Sequence, residues 1–442
     1  MAVEAYRSDL ESWGRYPKAR HVARQVDWRT RNLVLPDDSR SVLPYGQGRS
    51  YGDTCLNDGG VLLLTNGLDR FISFDAKSGI LRCEAGITLA DLLQLVVPQG
   101  WFLPITPGTK YVSIGGAIAS DVHGKNHHGA GTFGRFVKKF ELLRSNGVRI
   151  LCSPEENPDW YRATIGGLGL TGLIVWAEIQ LRPISNPLIQ MESVRFENLD
   201  EFFELSSESD KTFEYTVAWI DCFSRGKSLG RGLFLRGNHL ARLDKTPSLY
   251  QGRSVTVPFD APNFLLNEYT ARAFNWLFYH RQQRRLVERL THYEHFFYPL
   301  DAVRGWNRLY GRRGFFQYQC VVRCGESSAP VRELINEVAR SGRVPFLAVL
   351  KVFGEISSPG MLSFPKPGVT LALDFANQGE ATLRMFERLD AIVLEHSGSV
   401  YPAKDVRMSP NNFKSFFPRW LEFAPYVDPK ISSNFWRRVT AT

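Results

Sequence analysis

The stretch TPGTKYVSIGGAIASDVHGKNHHGAGTFG, Thr106–Gly134, is the most informative part of the sequence. It holds seven glycines, three histidines and two lysines in 29 residues, with almost no bulky apolar side chain after Ile118. Such a segment adds little to a core, so we expect its small residues to bring the backbone close to a ligand. His123 and His127 have the spacing of a metal-binding helix, but Gly124 disfavours a helix and the glutamate of HExxH is absent. We therefore predict no metal.

Two further glycine-rich segments lie on either side of this stretch. YGQGRSYGD, Tyr45–Asp53, follows an apolar run, and its glycines would let backbone N–H groups approach a pyrophosphate. Its GxGxxxG spacing departs from the Rossmann fingerprint, and an ordinary surface hairpin is the alternative. IGGLGLTG, Ile165–Gly172, does match GxGxxG, but a helical pattern precedes it and a strand pattern follows. Because a Rossmann site needs the opposite order, we reject dinucleotide binding there.

The composition is that of a globular protein. Of 442 residues 43% are apolar and 22% charged, with 54 Lys and Arg against 45 Asp and Glu, for a formal net charge of +9. The length allows about two to three domains of about 150 residues each, and disorder is excluded. The densest basic run is Arg281–Arg289, which we interpret as a solvated face, with a phosphate- or anionic-membrane-facing patch as the alternative. We expect no nucleic acid partner.

Periodicity divides the chain near Pro183. Before it, short β-rich runs alternate with glycine turns, and Leu89–Val97 has apolar residues at helical spacing. After it, alternating strand patterns and longer helical patterns predict an antiparallel sheet with covering helices, while residues 262–289 show no clear strand period and favour a helical or mobile lid. We predict an α+β fold of two domains: residues 1–186, residues 187–398, and residues 399–442 returning to the first domain.

The six cysteines are dispersed, and none forms a CxxC pair. A reducing compartment is therefore expected. No apolar run approaches the roughly 20 residues of a bilayer span, and the N-terminus lacks the apolar region of a signal peptide. We expect a cytoplasmic protein that contacts a membrane at most peripherally.

The motif YPAKD, Tyr401–Asp405, places a lysine directly after a turn that contains Pro402. A lysine held in a site would stabilise negative charge that develops on a bound ring. A surface lysine paired with Asp405 is the alternative.

Taken together, these motifs resemble a known family. GRSYGD at Gly48–Asp53, PGTKYVSIGGAIASDVHGKNHH at Pro107–His128, GGLGLTG at Gly166–Gly172 and the terminal YPAKD resemble the FAD-binding elements of the vanillyl-alcohol oxidase superfamily, which has a PCMH-type FAD-binding fold. Within that superfamily they are most similar to the decaprenylphosphoryl-β-D-ribose 2′-oxidase family, the flavin subunit of a 2′-epimerase. The similarity spans nearly the whole chain.

The resemblance implies a first domain that binds FAD. Related oxidases with covalent FAD carry a histidine where this chain has Arg49, so we predict noncovalent FAD. The cofactor-binding residues implied by the resemblance are Pro44, Tyr45, Gly46, Gln47, Gly48, Arg49, Ser50, Tyr51, Gly52, Asp53, Thr54, Gly108, Ser113, Ile114, Gly115, Gly116, Ser120, Asp121, Val122, His123, Ile174, Tyr401 and Lys404.

The resemblance also implies a substrate pocket in the second domain. Its lining residues would be Lys125, Trp219, Phe297, Gln317, Gln319, Lys351, Thr370 and Ala372, with His123 and Lys404. Amides and lysines can orient sugar hydroxyls, and Lys125 or Lys351 could meet a phosphate. This chain departs from the family at three of these positions: Ala372 replaces a cysteine, Thr370 replaces an asparagine and Phe297 replaces a tyrosine. Hydride transfer needs no protein nucleophile, so loss of the thiol is compatible with oxidation.

The implied activity is FAD-dependent oxidation of a sugar secondary alcohol to a ketone, with C2′ of a polyprenyl-phosphoryl-β-D-ribofuranose as the expected position. A separate NAD(P)H-dependent reductase would complete the epimerisation, in the context of arabinan and cell-wall synthesis. Lys404 would stabilise reduced flavin, and His123 or Tyr51 would accept the hydroxyl proton. The alternative is an oxidase of a soluble sugar, alditol, nucleoside or aldonolactone.

Overall fold

The computed structural model describes residues 5–33, 35–36, 38–241, 254–262, 265–324, 328–343 and 345–441. Strands and helices alternate along this part of the chain. Among its helices, none is both long enough and apolar enough to cross a bilayer.

The strands are β1 (Val22–Gln25), β2 (Val42–Tyr45), β3 (Val61–Leu64), β4 (Phe71–Asp75), β5 (Ile80–Glu84), β6 (Trp101–Phe102), β7 (Val137–Leu143), β8 (Arg149–Cys152), β9 (Leu173–Gln180), β10 (Arg182–Pro183), β11 (Leu188–Phe196), β12 (Tyr215–Ile220), β13 (Gly232–His239), β14 (Val255–Thr256), β15 (Leu286–His292), β16 (Val303–Arg304), β17 (Phe315–Val322), β18 (Leu347–Phe353), β19 (Gly368–Ala376) and β20 (Ser399–Val400).

The α-helices are α1 (Leu89–Val96), α2 (Ile114–Ala119), α3 (His127–Ala130), α4 (Pro158–Thr164), α5 (Leu199–Ser209), α6 (Glu268–His280), α7 (Tyr293–Phe297), α8 (Ala329–Arg340), α9 (Glu380–Glu395), α10 (Pro410–Phe416), α11 (Trp420–Phe423) and α12 (Asn434–Thr440).

Two sheets of three or more strands form from the described residues before Pro183, and β6 pairs with β10 as a short antiparallel ribbon. A small parallel sheet has the order β1-β3-β2, and an antiparallel sheet has the order β4-β5-β9-β7-β8. The central strand β9 is buried along most of its length, and α1 packs Leu92 and Leu93 into the same core as Ala177 and Ile179. Helix α1 begins at a capping box on Thr88. The chain therefore builds its first core as the periodicity predicts.

A larger antiparallel sheet follows, with the order β15-β11-β13-β12-β18-β19-β17-β20. In β19, Leu371, Leu373 and Phe375 pack with residues of α8 and α9 in one core. Because side chains alternate along a strand, Thr370, Ala372 and Asp374 point to the opposite face. The predicted α+β class with an antiparallel second sheet is confirmed.

One strand differs from the sequence-based prediction. Helix α6 lies within residues 262–289, where we predict a helical or mobile lid, but β15 begins at Leu286, inside the stretch with no clear strand period. Strand β15 is an edge strand whose residues are mostly exposed, so no alternation of apolar side chains marks it. Residues 263–264 lie outside the described part of the chain.

The C-terminal segment contacts elements from the start of the chain. Ile431 forms a parallel bridge to Val42 in β2. The guanidinium of Arg438 in α12 binds the carboxylate of Asp53 at 2.7 Å and that of Asp405 at 3.0 Å. Burial raises the pKa of Asp53, and Arg438 acts against that rise. These contacts support the proposed return of residues 399–442 to the first domain, and the domain boundaries stay a prediction.

Replacing Arg438 by methionine should destabilise the fold by about 2 kcal/mol, because it leaves two buried carboxylates without their shared cation. The midpoint of urea unfolding measures this loss. The matched control is Arg419→Met, whose ion pair with Glu422 joins side chains that are 46% and 57% exposed. That control should cost less than about 1 kcal/mol. Equal costs for both variants would contradict a structural role for the Arg438 network.

Candidate active site

A cavity of about 330 Å³ lies where the two large sheets and the C-terminal segment meet. This volume is in the range of small-molecule sites. One wall comes from segments before Pro183, and the other comes from side chains of β17, β18 and β19. Many of the residues that were predicted to bind the cofactor line this cavity. They are Pro44, Gly46, Gln47, Gly48, Arg49, Ser50, Tyr51, Thr54, Gly108, Ser113, Gly115, Gly116, Ser120, Val122, His123, Ile174, Tyr401 and Lys404.

The first wall is rich in glycine. Seven of its residues are glycines: Gly46, Gly48, Gly108, Gly115, Gly116, Gly169 and Gly172. Gly48 has a φ of +59°, which favours glycine, and a Cβ on Gly46 would lie 2.5 Å from the Ser113 hydroxyl. Gly169 and Gly172 belong to the GxGxxG segment, which follows α4 and precedes β9, so the order opposite to a Rossmann unit is confirmed. This wall lets a ligand reach backbone N–H and C=O groups directly.

Two cavity-lining residues carry buried polar atoms without a hydrogen-bond partner in the protein: Thr54, at Oγ1, and His123, at Nδ1. Buried polar atoms are nearly always hydrogen-bonded, so these atoms are suited to bind a ligand. Together with the glycine wall, they fit a large cofactor with phosphates and a polar ring, as FAD has.

The second wall consists of side chains. Gln317 and Gln319 project from β17, Lys351 from β18, and Thr370 and Ala372 from β19, and all five line the cavity as predicted for the substrate pocket. The strand register sets Gln319 opposite Ala372 and Lys351 opposite Thr370. Directly opposed residues share a face, so the antiparallel pairing brings these groups together.

His123 sits between the two walls. Its Nε2 lies 3.0 Å from the side-chain nitrogen of Gln319, which also donates to the Thr370 hydroxyl at 3.2 Å. An amide nitrogen only donates, so His123 Nε2 accepts and the ring proton is on Nδ1. Burial, with Lys351 nearby, lowers the pKa of His123 well below its usual value. The imidazole is therefore neutral near pH 7.

Lys404 places its ammonium 3.7 Å from the centre of the Tyr51 ring. Desolvation lowers the pKa of Lys404 to about 7, although the Asp374 carboxylate acts in the opposite direction. The surface pair with Asp405 does not form, because Asp405 binds Arg438 and backbone N–H groups. Burial raises the pKa of Tyr51 well above its usual value, so the phenol is neutral.

The sequence did not reveal two acidic residues of this region: Asp301, which lines the cavity, and Asp374, which lies beside the lining. Asp374 is buried in β19 on the face of Thr370 and Ala372, where its Oδ1 accepts from Gln317 and its Oδ2 has no partner in the protein. Burial raises the pKa of Asp374 to about 7. Asp374 lies two residues after Ala372 and therefore shares its face of β19, so this spacing could have identified Asp374 from the sequence. Val349 and Leu168 also line the cavity and were not predicted.

Arg49 lies between aromatic rings. Its guanidinium is 4.1 Å from the centre of the Trp13 ring and 5.4 Å from that of Tyr111. Burial lowers the pKa of Arg49. A guanidinium held in this way stays a cation and offers a positive charge to the cavity.

Five residues predicted to bind the cofactor lie outside the cavity lining: Tyr45, Gly52, Asp53, Ile114 and Asp121. Each of these five residues instead contacts other parts of the protein. The Tyr45 hydroxyl donates to the Glu11 carbonyl, Gly52 packs against the Asp405 backbone, and Asp53 binds Arg438. Ile114 is buried in the first core, and Asp121 accepts from the backbone N–H of Gly134 and the hydroxyl of Ser363. Cofactor contact by these five stays a prediction.

Three predicted substrate residues also lie outside the lining. Lys125 donates from Nζ to the Phe297 carbonyl at 3.1 Å, and Phe297 is fully buried in the first core. Trp219 packs against Phe278 of α6, with ring centres 4.6 Å apart. As substrate contacts they stay predictions. In the described part of the chain, no cluster of three His, Cys, Asp or Glu side chains could hold a metal ion.

Comparisons with known proteins agree with this geometry. Residues 34–153 match a family model described as an FAD binding domain. The chain is 38% identical to the decaprenylphosphoryl-β-D-ribose oxidase of Mycolicibacterium smegmatis over 91% of this chain and 90% of that protein. It is 32% identical to an uncharacterised protein of Streptomyces coelicolor over 80% of this chain and all of that protein. The human Δ(24)-sterol reductase is 30% identical over 28% of this chain and 24% of its own length.

The FAD binding domain covers the glycine-rich segments at Gly46 and Gly116, which form the first wall of the cavity. The likeness to the mycobacterial oxidase continues through the second wall, since it extends over nearly the whole chain. The protein is an FAD-dependent oxidoreductase and belongs to the decaprenylphosphoryl-β-D-ribose oxidase family.

Proposed function

We propose that the protein oxidises C2′ of a polyprenyl-phosphoryl-β-D-ribofuranose to the 2-keto sugar, using noncovalent FAD. The observation that carries the proposal is the pairing of a glycine-rich wall with a wall of amide, hydroxyl and lysine side chains across one cavity. Bound FAD supplies the hydride acceptor. Arg49, whose guanidinium lies 4.1 Å from the centre of the Trp13 ring, stands where related oxidases carry the histidine that attaches the flavin, and this substitution supports noncovalent binding.

The second wall orients the sugar. Gln317 and Gln319 each offer an amide, and Thr370 offers a hydroxyl, so the wall holds both donors and acceptors for sugar hydroxyls. Lys351 lies on the same wall, and desolvation lowers its pKa to about 8, so it stays mostly cationic near pH 7. We assign Lys351 to the phosphate of the substrate, with Lys125 as the alternative.

The reaction requires a proton acceptor and a stabilising cation. The candidate acceptors of the hydroxyl proton are His123 and Tyr51, which line the cavity from the first wall. His123 can accept at Nε2 once the sugar hydroxyl replaces the Gln319 amide there, and Tyr51 can accept only as the phenolate. The centre of the Tyr51 ring lies 3.7 Å from the Lys404 ammonium, so both groups meet at the same point of the cavity. In its charged form Lys404 opposes the negative charge that develops on reduction, as a preorganised cation does.

The product chemistry implies partners. A 2-keto sugar must be reduced from the opposite face to give the epimer, so a separate NAD(P)H-dependent reductase is part of the proposal. A polyprenyl substrate is held in a membrane, so the enzyme contacts a membrane peripherally.

Anaerobic mixing of the yellow protein with a polyprenyl-phosphoryl ribose should bleach the flavin absorbance, because the second wall is suited to a phosphorylated sugar. Ribose, alditols, nucleosides and aldonolactones at the same concentration are the matched controls and should reduce the flavin at least about tenfold more slowly. Faster reduction by any of these soluble compounds would contradict the proposed substrate.

Replacing Asp374 by asparagine should change the pH dependence of flavin reduction. The Asp374 carboxylate favours the ammonium form of Lys404, so its removal lowers the pKa of Lys404. Because the ammonium is the form that stabilises reduced flavin, reduction falls as pH rises through that pKa. In Asp374→Asn the midpoint of this fall should move to lower pH, by about one pH unit.

Stopped-flow reduction across a pH series gives the midpoint. The control is Glu387→Gln, an exposed carboxylate on α9, which should keep the wild-type midpoint. A midpoint in Asp374→Asn equal to that of the control would disprove the coupling between Asp374 and Lys404.

A further inference from the structure

Helix α6 exposes large apolar side chains on the side that faces solvent. Tyr269 is 82% exposed, Trp276 55% and Leu277 61%. Residues seven and eight positions apart lie on the same side of a helix, so these three form one stripe. Phe274, at 45% exposure, lies at its edge. The solvent-facing side of an ordinary surface helix is polar. The apolar stripe on α6 therefore indicates an interaction surface.

The opposite side of α6 attaches it to the large sheet. Ala271, Asn275 and Tyr279 are buried, and Tyr279 joins a small core with Trp219 and Leu233. The Tyr279 hydroxyl donates to the Phe196 carbonyl at 3.2 Å. Helix α6 is therefore fixed to β11, β12 and β13, with its apolar stripe directed away from them.

This attachment places α6 beside the cavity. Trp219 is opposite Val349 in the register, and Val349 is opposite Ala372, so all three lie on one face of the sheet. Val349 and Ala372 line the cavity. Helix α6 and the cavity thus lie on the same face of the large sheet, and Leu347 contacts both the cavity and the small core beneath α6.

Basic residues border the stripe. Arg281 and Arg284 are exposed directly after α6, and Arg289 is exposed in β15. The Arg281 guanidinium lies 3.8 Å from the centre of the Phe278 ring. The acidic residues of the same stretch are Glu268, which binds Arg272, and Glu288. An apolar stripe beside arginines is complementary to a bilayer with anionic headgroups.

We propose that α6 and the turn after it dock on an anionic lipid bilayer. Tyr269, Trp276 and Leu277 enter the boundary between headgroups and acyl chains, and Arg281 and Arg284 bind lipid phosphates. The choice of a bilayer rests on the proposed function, because a polyprenyl substrate must leave the membrane to reach Gln319 and Lys351. Docking through α6 holds the mouth of the cavity against the lipid surface.

Flotation of the holoenzyme with vesicles tests this surface. Wild type should bind vesicles of phosphatidylcholine with phosphatidylglycerol, and the double variant Trp276→Ser/Leu277→Ser should bind about tenfold more weakly. The matched control is Leu421→Ser, which removes a leucine of 65% exposure on α11 and should bind like wild type. Equal binding by the double variant and wild type, or no binding by wild type, would overturn the proposal.

The headgroup contact has its own test. Arg284→Glu should bind the anionic vesicles about fivefold more weakly and bind pure phosphatidylcholine vesicles as wild type does. Unchanged binding to anionic vesicles would contradict it.

A short-chain, water-soluble polyprenyl-phosphoryl ribose separates this inference from the proposed function. The double variant should keep wild-type flavin absorbance and reduction with that substrate. Loss of vesicle binding with normal reduction supports the surface, whereas slow reduction in the double variant would place Trp276 and Leu277 in the site itself and contradict it. Failure of wild type to react with the same ribose contradicts the proposed function, whatever the vesicles show.

Discussion

The desolvated ammonium of Lys404 is the constraint on which the arrangement of the cavity depends. A charge removed from water is costly unless other groups stabilise it. Here the Tyr51 ring lies 3.7 Å away, and the buried carboxylate of Asp374 favours the charged form. Those two groups come from opposite walls, so the lysine links the glycine-rich wall to the large sheet. The backbone N–H of Lys404 donates to the Tyr401 carbonyl at 3.0 Å, and the backbone N–H of Tyr401 donates to the Gln319 carbonyl at 2.9 Å, which ties the lysine to β17.

The first wall exposes backbone groups at its glycines, and the second wall presents side chains to the cavity. The first wall, around Gly46 and Gly116, is formed by close backbone approach, which suits a cofactor bound by N–H groups. The second wall depends on which side chains β17, β18 and β19 direct inward, so we expect single substitutions there to affect substrate binding more than cofactor binding. Ala372 and Thr370 are such positions, where this chain departs from the cysteine and asparagine expected from the family resemblance.

The sequence predicted the first wall better than the surroundings of the second. Glycine-rich segments such as Gly46–Gly48 are informative because few other functions require so many small residues together. Asp374 was not recognised, because its role depends on strand pairing that brings it near Lys404. Strand β15 was missed since an exposed edge strand lacks an apolar period. Trp219 packs under α6, a contact that the sequence did not reveal because the position of α6 depends on tertiary contacts, and its contact with substrate stays a prediction.

The reduction potential of the bound flavin in Lys404→Met, compared with wild type, tests the central claim most directly. If the Lys404 ammonium stabilises the reduced, anionic ring, its removal makes the potential more negative. Lys414→Met, which removes an ammonium from α10, should leave the potential unchanged. A potential in Lys404→Met equal to that of wild type, with FAD still bound, would contradict the account.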